Sequence, residues 1–425
     1  MPEILASEQF VFSGAKKLRC GFTTGTCAAL ASRAAVESLL SARVPKTVSL
    51  RTPKGWLARA DVVADAAELV PFASGGMRFR CGVKKDAGDD PDVTDGCLVF
   101  ATAELFPAAP TQAETVRMDL AQTASTQTKP AQMKPAQTKP AADGDGSVRV
   151  SIDGGAGVGR VTKPGLDQPV GVAAINRVPR QMIADAVCDV CEAFGFAGEV
   201  RVTIDIPEGE RLSEKTFNPQ LGIEGGISVI GTSGVVEPMS EQALVDALET
   251  EIRVIAASYE DKSERPLVIT PGNYGKDFVA RYPELEKIPV LKCSNFIGAA
   301  LDLAVAYGFT HVTLVGHAGK FVKLAGGIMN THSRAADCRM ELLCAHAALC
   351  GAEKTVLARI MDCATVDAAL SVLDEARLTE RTVRSLVDAA KTHVTRRVDG
   401  AYSFDIVLFT NERGVIGAVW ATEDP

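Results

Sequence analysis

The chain has 425 residues, 46% of them apolar, enough for two or three domains that each bury a core. A formal charge of −8 and a pI near 5.4 exclude a general nucleic-acid binder, which would carry a basic domain or stripe. No run reaches the roughly 18 consecutive apolar residues of a membrane span, and "MPEILASEQFVFSGAKK" lacks the apolar core of a signal peptide, so a cytoplasmic protein is expected.

The first organised element begins at "GFTTGTCAALASRAAVESLL", where Thr23, Thr24 and Thr26 offer capping hydroxyls and the alanine-rich continuation favours a closely packed helix. "TVSLRTP" and "GWLARADVV" alternate apolar with polar residues and predict a hairpin. Further strand patterns occur at "MRFRCGVKK", "CLVFATAEL" and "SVRVSID". Between the last two, residues 107–146 carry the near-repeat QTKPA-QMKPA-QTKPA and too little apolar material to fold, which predicts a disordered surface insertion. A glycine-rich turn over 153–165, a helix over 181–194 and the strand "EVRVTIDI" come next. They lead into a second glycine-rich segment, "GIEGGISVIGTSGVVEPMS", and a long amphipathic helix from near Ser240. From about residue 265 short buried strands alternate with helices, as in "PLVIT" then "PGNYGKDFVARY", and "HVTLVG" then "HAGKFVKLAGG". That alternation predicts a parallel α/β sheet, whose strand carboxyl ends are where such sheets bind ligands. "SFDIVLFTNERGVIGAVW" closes the chain as a hairpin.

The 11 cysteines are odd in number and scattered through apolar segments, which fits a reducing cytosol rather than a disulfide scaffold. Cys188 and Cys191 form a lone CxxC on one face of a predicted helix, with no second pair at zinc spacing. The stretch "GHAGKFVKLAGGIMNTHSR" gathers His317, Lys320, Lys323, His332, Ser333 and Arg334 into a strand-end loop, with Arg339 just beyond. A metal is not expected there, since no HExxH or second close-spaced ligand pair accompanies the histidines. A P-loop fails too: Leu314 occupies a required glycine position, and Phe321 follows Lys320 where Ser or Thr belongs. What remains is a set of cations able to hold several carboxylates. The acidic run "KKDAGDDPDVTDG" is not an EF-hand, because Asp95 and Ala101 stand where glycine and glutamate belong. An Asx-capped turn and a ligand-binding turn are both open for it. "GGAGVGRVTKPG" and "GISVIGTSG" read as tight turns that could let backbone amides approach a ligand, and "PGNYGK" opens a helix directly after a strand.

The segments "CGFTTGTCAA", "VKKDAGDDPDVTDG", "GVGRVTKPGL", "AINRVPR", "EKTFNPQLGIEGGISVIGTSGVVEPMS", "ITPGNYG", "CSNFIG" and "GHAGKFVKLAGGIMNTHSRAADCRMEL" closely resemble, in the same order, the CbiD family. The resemblance implies S-adenosylmethionine-dependent methylation of cobalt-precorrin-5B at ring carbon C-1, giving cobalt-precorrin-6A in anaerobic cobalamin synthesis. It also implies an α+β amino-terminal domain, taken as 1–258, followed by an α/β Rossmann-like three-layer domain, taken as 259–425. Two departures are visible: Asn176-Arg177 stands where the family usually has Asn-Pro, and the low-complexity insertion is additional.

A corrin precursor carries a ring of acetates and propionates, so its site needs distributed cations on an otherwise acidic protein. The substrate-binding candidates are Thr24, Lys84, Arg160, Lys163, Arg180, Lys320, Lys323, Ser333, Arg334 and Arg339. His332, then His317 and Asp89, are the candidate bases. S-adenosylmethionine, as co-substrate, is assigned to Gly231, Thr232, Gly234, Gly272 and Asn273, with no protein-bound metal. The cobalt-tetrapyrrole is the expected partner, without nucleic acid or membrane; the oligomeric state, a homodimer included, stays open. Competing readings are a non-catalytic tetrapyrrole carrier and an enzyme acting on a phosphorylated metabolite.

Overall fold

In the computed structural model residues 4–63, 68–71, 77–108 and 148–421 are described, and the insertion expected over 107–146 lies almost wholly outside them. The chain divides into two compact units, Met1–Thr162 with Asp167–Met239, and Lys163–Leu166 with Ser240–Pro425. The boundary expected after residue 258 falls after Met239. The helix Glu241–Ser258 belongs instead to the second unit, because its Leu248, Ile252 and Ala256 join that unit's core.

The first unit is built around helix α1 (Thr24–Ser41), capped by the Thr23 hydroxyl, which accepts from the Thr26 amide. Cys27, Ala28, Ala29, Leu30, Ala31, Ala34 and Ala35 are all fully buried, so small side chains let the helix lie close to neighbours on several sides. One neighbour is α2 (Arg177–Phe194), which starts earlier than the sequence pattern suggested and ends at Gly195 in the left-handed conformation. Another is a five-stranded sheet of β1 (Glu68–Pro71), β2 (Met77–Lys84), β3 (Leu98–Pro107), β4 (Arg149–Gly154) and β5 (Gly198–Asp205), in the order β1-β2-β3-β5-β4. All its pairings are antiparallel except β5 with β4. The hairpin expected in "TVSLRTP" and "GWLARADVV" forms as Thr47–Arg51 against Leu57–Asp61.

The glycines after β4 serve backbone packing. A Cβ on Gly157 (φ +71) would lie 1.8 Å from the Ile206 carbonyl oxygen, and one on Gly226 would lie 2.1 Å from the Gly157 oxygen. Residues 157–158 and 226–227 pair as parallel strands at this crossing, so the glycine-rich segment is a place where two backbones touch.

The second unit contains α3 (Glu241–Ser258), whose Ser240 cap accepts from the Ala243 amide, and a five-stranded sheet. Its strands are β6 (Pro266–Thr270), β7 (Val290–Lys292), β8 (His311–His317), β9 (Ser403–Thr410) and β10 (Gly414–Val419), in the order β7-β6-β8-β9-β10. Only β10 runs antiparallel to its neighbour. Alternate residues face two cores. Leu267, Ile269, Leu314 and Ile406 pack with α3, α5 (Ile297–Ala306) and the long helix Thr379–Val398. Val268, Val315, Val407 and Phe409 pack beneath α4 (Asn273–Val279) and Tyr282. Among the described residues no helix is long and apolar enough to cross a membrane.

Candidate active site

From β6 the chain moves outward to β7 and then returns to the other side of β6 as β8. The strand order therefore reverses between β6 and β8, and their carboxyl ends frame the crevice where open parallel sheets take ligands. At the β6 end Thr270 is fully buried, and a Cβ on Gly275 would lie 1.6 Å from its hydroxyl oxygen, so only glycine lets α4 sit on this strand end. Gly272 faces open space, and Asn273 and Tyr274 beside it are exposed. At the β8 end a Cβ on Gly316 would strike the Phe321 ring at 2.2 Å, which makes Phe321 the packing anchor of the turn. The His317 ring meets Phe409 edge-on at 5.6 Å and lies 6.4 Å from Tyr274.

Both candidate histidines differ from the expectation of a base. The Gly319 amide donates to His317 Nδ1 at 3.1 Å, and the Arg334 amide donates to His332 Nδ1 at 3.0 Å. With that lone pair engaged, the neutral ring carries its proton on Nε2 and presents a donor rather than an acceptor.

The two lysines three residues apart part company. Lys323 is 3% exposed; its ammonium donates to the main-chain oxygens of Thr331 at 3.1 Å and Ala336 at 2.8 Å, and lies 3.7 Å from the Asp337 carboxylate. It fastens the loop carrying His332, Ser333 and Arg334 from below. Asp337 also holds Arg339, at 2.5 and 3.0 Å. Lys320 is half-buried and donates to Asn295 Oδ1 at 2.9 Å, with no carboxylate pairing to it among the described residues. Burial lowers its pKa from the ordinary 10.5; the Cys293 thiol opposes that shift and the Lys323 charge adds to it. Cys293 itself is buried, and burial pushes its thiol up to about 12. Ser333 and Arg334 are exposed, and the guanidinium of Arg334 has no ion pair among the described residues.

The remaining candidates lie in the first unit, except Lys163, which sits exposed in the strap Lys163–Leu166 of the second. Thr24 is 4% exposed inside the first turn of α1. Arg160 pairs with Asp153 at 3.2 Å and donates to the Gly154 oxygen at 3.0 Å. Arg180 has its guanidinium on three main-chain oxygens, those of Ile175, Ile152 and Ala173, at 2.9, 2.8 and 3.1 Å. Lys84 is exposed, whereas its neighbour Lys85 is 2% exposed and bonds Asp92 at 2.5 Å.

The acidic run is a turn held by its own carboxylates. Asp86 takes Arg19 through two bonds of 2.7 Å, Asp89 accepts the Arg19 amide at 2.6 Å, and Asp95 accepts the Ala87 amide at 2.8 Å. Asp92 also accepts the Thr94 amide and hydroxyl, at 2.8 and 2.7 Å. The loop of Gly231, Thr232 and Gly234 packs on the α1 amino terminus: a Cβ on Gly231 would meet the Thr23 hydroxyl at 2.2 Å, and Thr26 donates to the Gly234 oxygen at 2.6 Å. Only Thr232 is exposed at its tip. These glycines are therefore explained by helix capping, unlike Gly272.

Sequence reasoning missed Asn295 and Lys85. Asn295 lies in "CSNFIG" just past β7, and its position at a strand carboxyl end was the available signal. Lys85 was masked by Lys84, since alternation along β2 decides which of the two points inward. A cavity of about 560 Å³ in the first unit, between Leu50, Thr52 and the Arg177 to Asp189 face of α2, is lined by none of the candidates; two arginines, Arg51 and Arg177, and two aspartates, Asp185 and Asp189, are among its lining residues. Among the described residues no group of three or more His, Cys, Asp or Glu could hold a metal ion.

Two family models match the chain: CbiD over residues 12–238, and the CbiD C-terminal domain over residues 330–420. The cobalt-precorrin-5B C(1)-methyltransferase of Ruminiclostridium cellulolyticum is 40% identical, over 95% of this chain and 92% of that protein. The protein of the same name from a Thermoanaerobacter species is 38% identical, over 96% of this chain and 97% of its own. A crystal structure of a cobalamin biosynthesis protein, CbiD, from Archaeoglobus fulgidus aligns with 78% of this chain and 88% of that one, at 24% identity and a TM-score of 0.36. With one family model covering most of the first unit, the other covering the carboxyl-terminal half of the second, and relatives near 40% identity along nearly the whole length, the chain belongs to the CbiD family.

Proposed function

We propose that this chain methylates cobalt-precorrin-5B at ring carbon C-1, with S-adenosylmethionine as donor and cobalt-precorrin-6A as product, and that its second unit is a Rossmann-like three-layer domain. The observation that carries the activity is the match over 95% of the chain to relatives bearing that enzyme's name. The strand-end crevice supports the ligand class: Lys320 is a half-buried cation without a carboxylate partner among the described residues, and such a group is completed by an anion from outside. A macrocycle rimmed with acetates and propionates supplies one.

In this reading Lys320 and Arg334 grip peripheral carboxylates, and the Nε2 protons of His317 and His332 add neutral donors. Lys323 and Arg339 hold the loop rather than the substrate. Gly272, with its open side, and the exposed Asn273 fit a small donor molecule at the end of β6. The donor supplies a methyl group on a sulfonium; the bond to C-1 forms as the carbon–sulfur bond breaks, leaving a neutral thioether, and a proton leaves the macrocycle. The protein's share is to hold carbon and methyl in line at about 3–3.5 Å, where orientation can supply roughly 7–11 kcal/mol. Substrate cobalt belongs to the ligand.

Incubation with methyl-labelled S-adenosylmethionine and reduced cobalt-precorrin-5B tests the proposal. Label at C-1 of the ring is expected. Bound but unlabelled tetrapyrrole would overturn it in favour of a carrier.

A further inference from the structure

Asn295 lies between the two cation-bearing loops. Its Oδ1 accepts from Lys320 Nζ at 2.9 Å and from the Thr331 hydroxyl at 3.5 Å, and its main-chain oxygen accepts the Thr331 amide at 2.9 Å. Residues 296 and 330 form an antiparallel bridge, and the Gly298 amide donates to the Met329 oxygen at 3.0 Å, so the Asn295 segment is stitched along several residues to the stretch that leads into His332. Every bond of the Asn295 side chain uses its oxygen; its Nδ2 donates to nothing among the described residues.

An aspartate has nearly the same shape, would accept the same two bonds, and would make a charge-assisted pair with the half-buried ammonium. Local stability therefore favours aspartate here. Lys323 shows that choice in the same unit, with the Asp337 carboxylate 3.7 Å from its ammonium. The amide at position 295 does the opposite: it orients Lys320 and leaves its charge uncompensated.

We infer that Asn295 is a positioning residue that sets specificity for an anion. Its neutral oxygen aims the Lys320 ammonium without neutralising it, and its hold on Thr331 fixes the loop of His332, Ser333 and Arg334 beside that ammonium, ready for a ligand carboxylate. This rests on the reading of the crevice as a site for a polycarboxylate tetrapyrrole.

Uroporphyrin III, a stable tetrapyrrole bearing only carboxylate side chains, is a suitable probe. Its affinity is measured by calorimetry for the wild type, Asn295→Asp, Asn295→Ala, Lys320→Met and the double variant Asn295→Asp with Lys320→Met, alongside the Tm of each. Asn295→Asp is expected to keep or raise Tm while weakening the probe roughly tenfold or more, and further than Asn295→Ala does. In the double variant each change removes one unit of charge, taking the local charge from +1 to −1, so the probe should bind more weakly than to either single variant; affinity equal to that of Lys320→Met alone would mean that the position-295 charge does not reach the ligand. A purely structural asparagine predicts the reverse order, with alanine worse than aspartate. Wild-type affinity in Asn295→Asp, or a Tm below that of Asn295→Ala, overturns the inference while the polycarboxylate reading stands. A wild-type protein that does not bind the probe removes that reading, and this inference with it.

Discussion

Four cations of the first unit are met by counter-groups of the fold, whereas two strand-end cations of the second have no carboxylate partner among the described residues. Arg19 has Asp86, Lys85 has Asp92, Arg160 has Asp153, and Arg180 has three carbonyls. At the strand ends Lys323 and Arg339 are treated in that way; Lys320 meets an amide oxygen, and Arg334 is exposed, neither with an ion pair among the described residues. Basic residues are equally conspicuous in both stretches of sequence. What separates a structural cation from a ligand-seeking one is whether the fold completes it.

Four variants probe that contrast. The largest effect is expected for Asp92→Ala, which strands the nearly buried Lys85 ammonium and should cost about 3–5 kcal/mol in urea unfolding. An unchanged midpoint would mean that Lys85 does not depend on its partner. Lys323→Met frees the oxygens of Thr331 and Ala336 and should cost about 1–3 kcal/mol. Because the loop loosens, it should also weaken tetrapyrrole binding while leaving the methyl donor's Kd in place. Lys320→Met is the mirror image: stability equal or higher, and roughly tenfold weaker binding of a polycarboxylate, about 1.4 kcal/mol. Arg160→Met, measured in parallel, should change that affinity less than about twofold. Equal losses would erase the distinction between the units.

The smallest effect is a pH dependence. The Arg19 hydrogen bond holds Asp86 below its ordinary 3.8, with burial opposing and the Gly88 amide assisting. A depressed carboxylate stabilises the fold above its unfolded value, and that contribution is lost as pH falls through the lower folded value. The pair is partly exposed, so Arg19→Met should cost only about 0.2–1 kcal/mol at pH 7. The gap to wild type should narrow below about pH 4. A gap that persists at low pH would assign the loss to packing.

Much of the fold was legible because periodicity reports burial directly. The Ser240 cap, the Thr47 to Asp61 hairpin and the closing hairpin all stand where alternation and capping chemistry put them. The unit boundary was less legible, since an amphipathic helix does not say which core its apolar face will join. At the site, residue type and strand-end position indicated the cluster from 316 to 339, but hydrogen-bond partners divided it. Nothing local distinguishes Lys320 from Lys323: their difference comes from Asn295 and Asp337, 25 residues before the one and outside any helical spacing from the other. The packing of the glycines at 231 and 234 was hidden for the same reason, because Thr23, which crowds the first, and Thr52 and Pro53, which crowd the second, lie more than 180 residues earlier in the chain.

Completion of the Lys320 ammonium by a ligand carboxylate is read most directly from the resonance of Lys320 itself. With lysine side chains labelled at Cε and the Lys320 signal assigned by substitution, uroporphyrin III is titrated into the wild-type protein and followed by NMR. The Lys320 signal is expected to move on binding and its titration midpoint to rise towards 10.5, while the resonance positions of the more deeply buried Lys85 and Lys323 at fixed pH do not change. A bound tetrapyrrole with the Lys320 signal unmoved would contradict that completion.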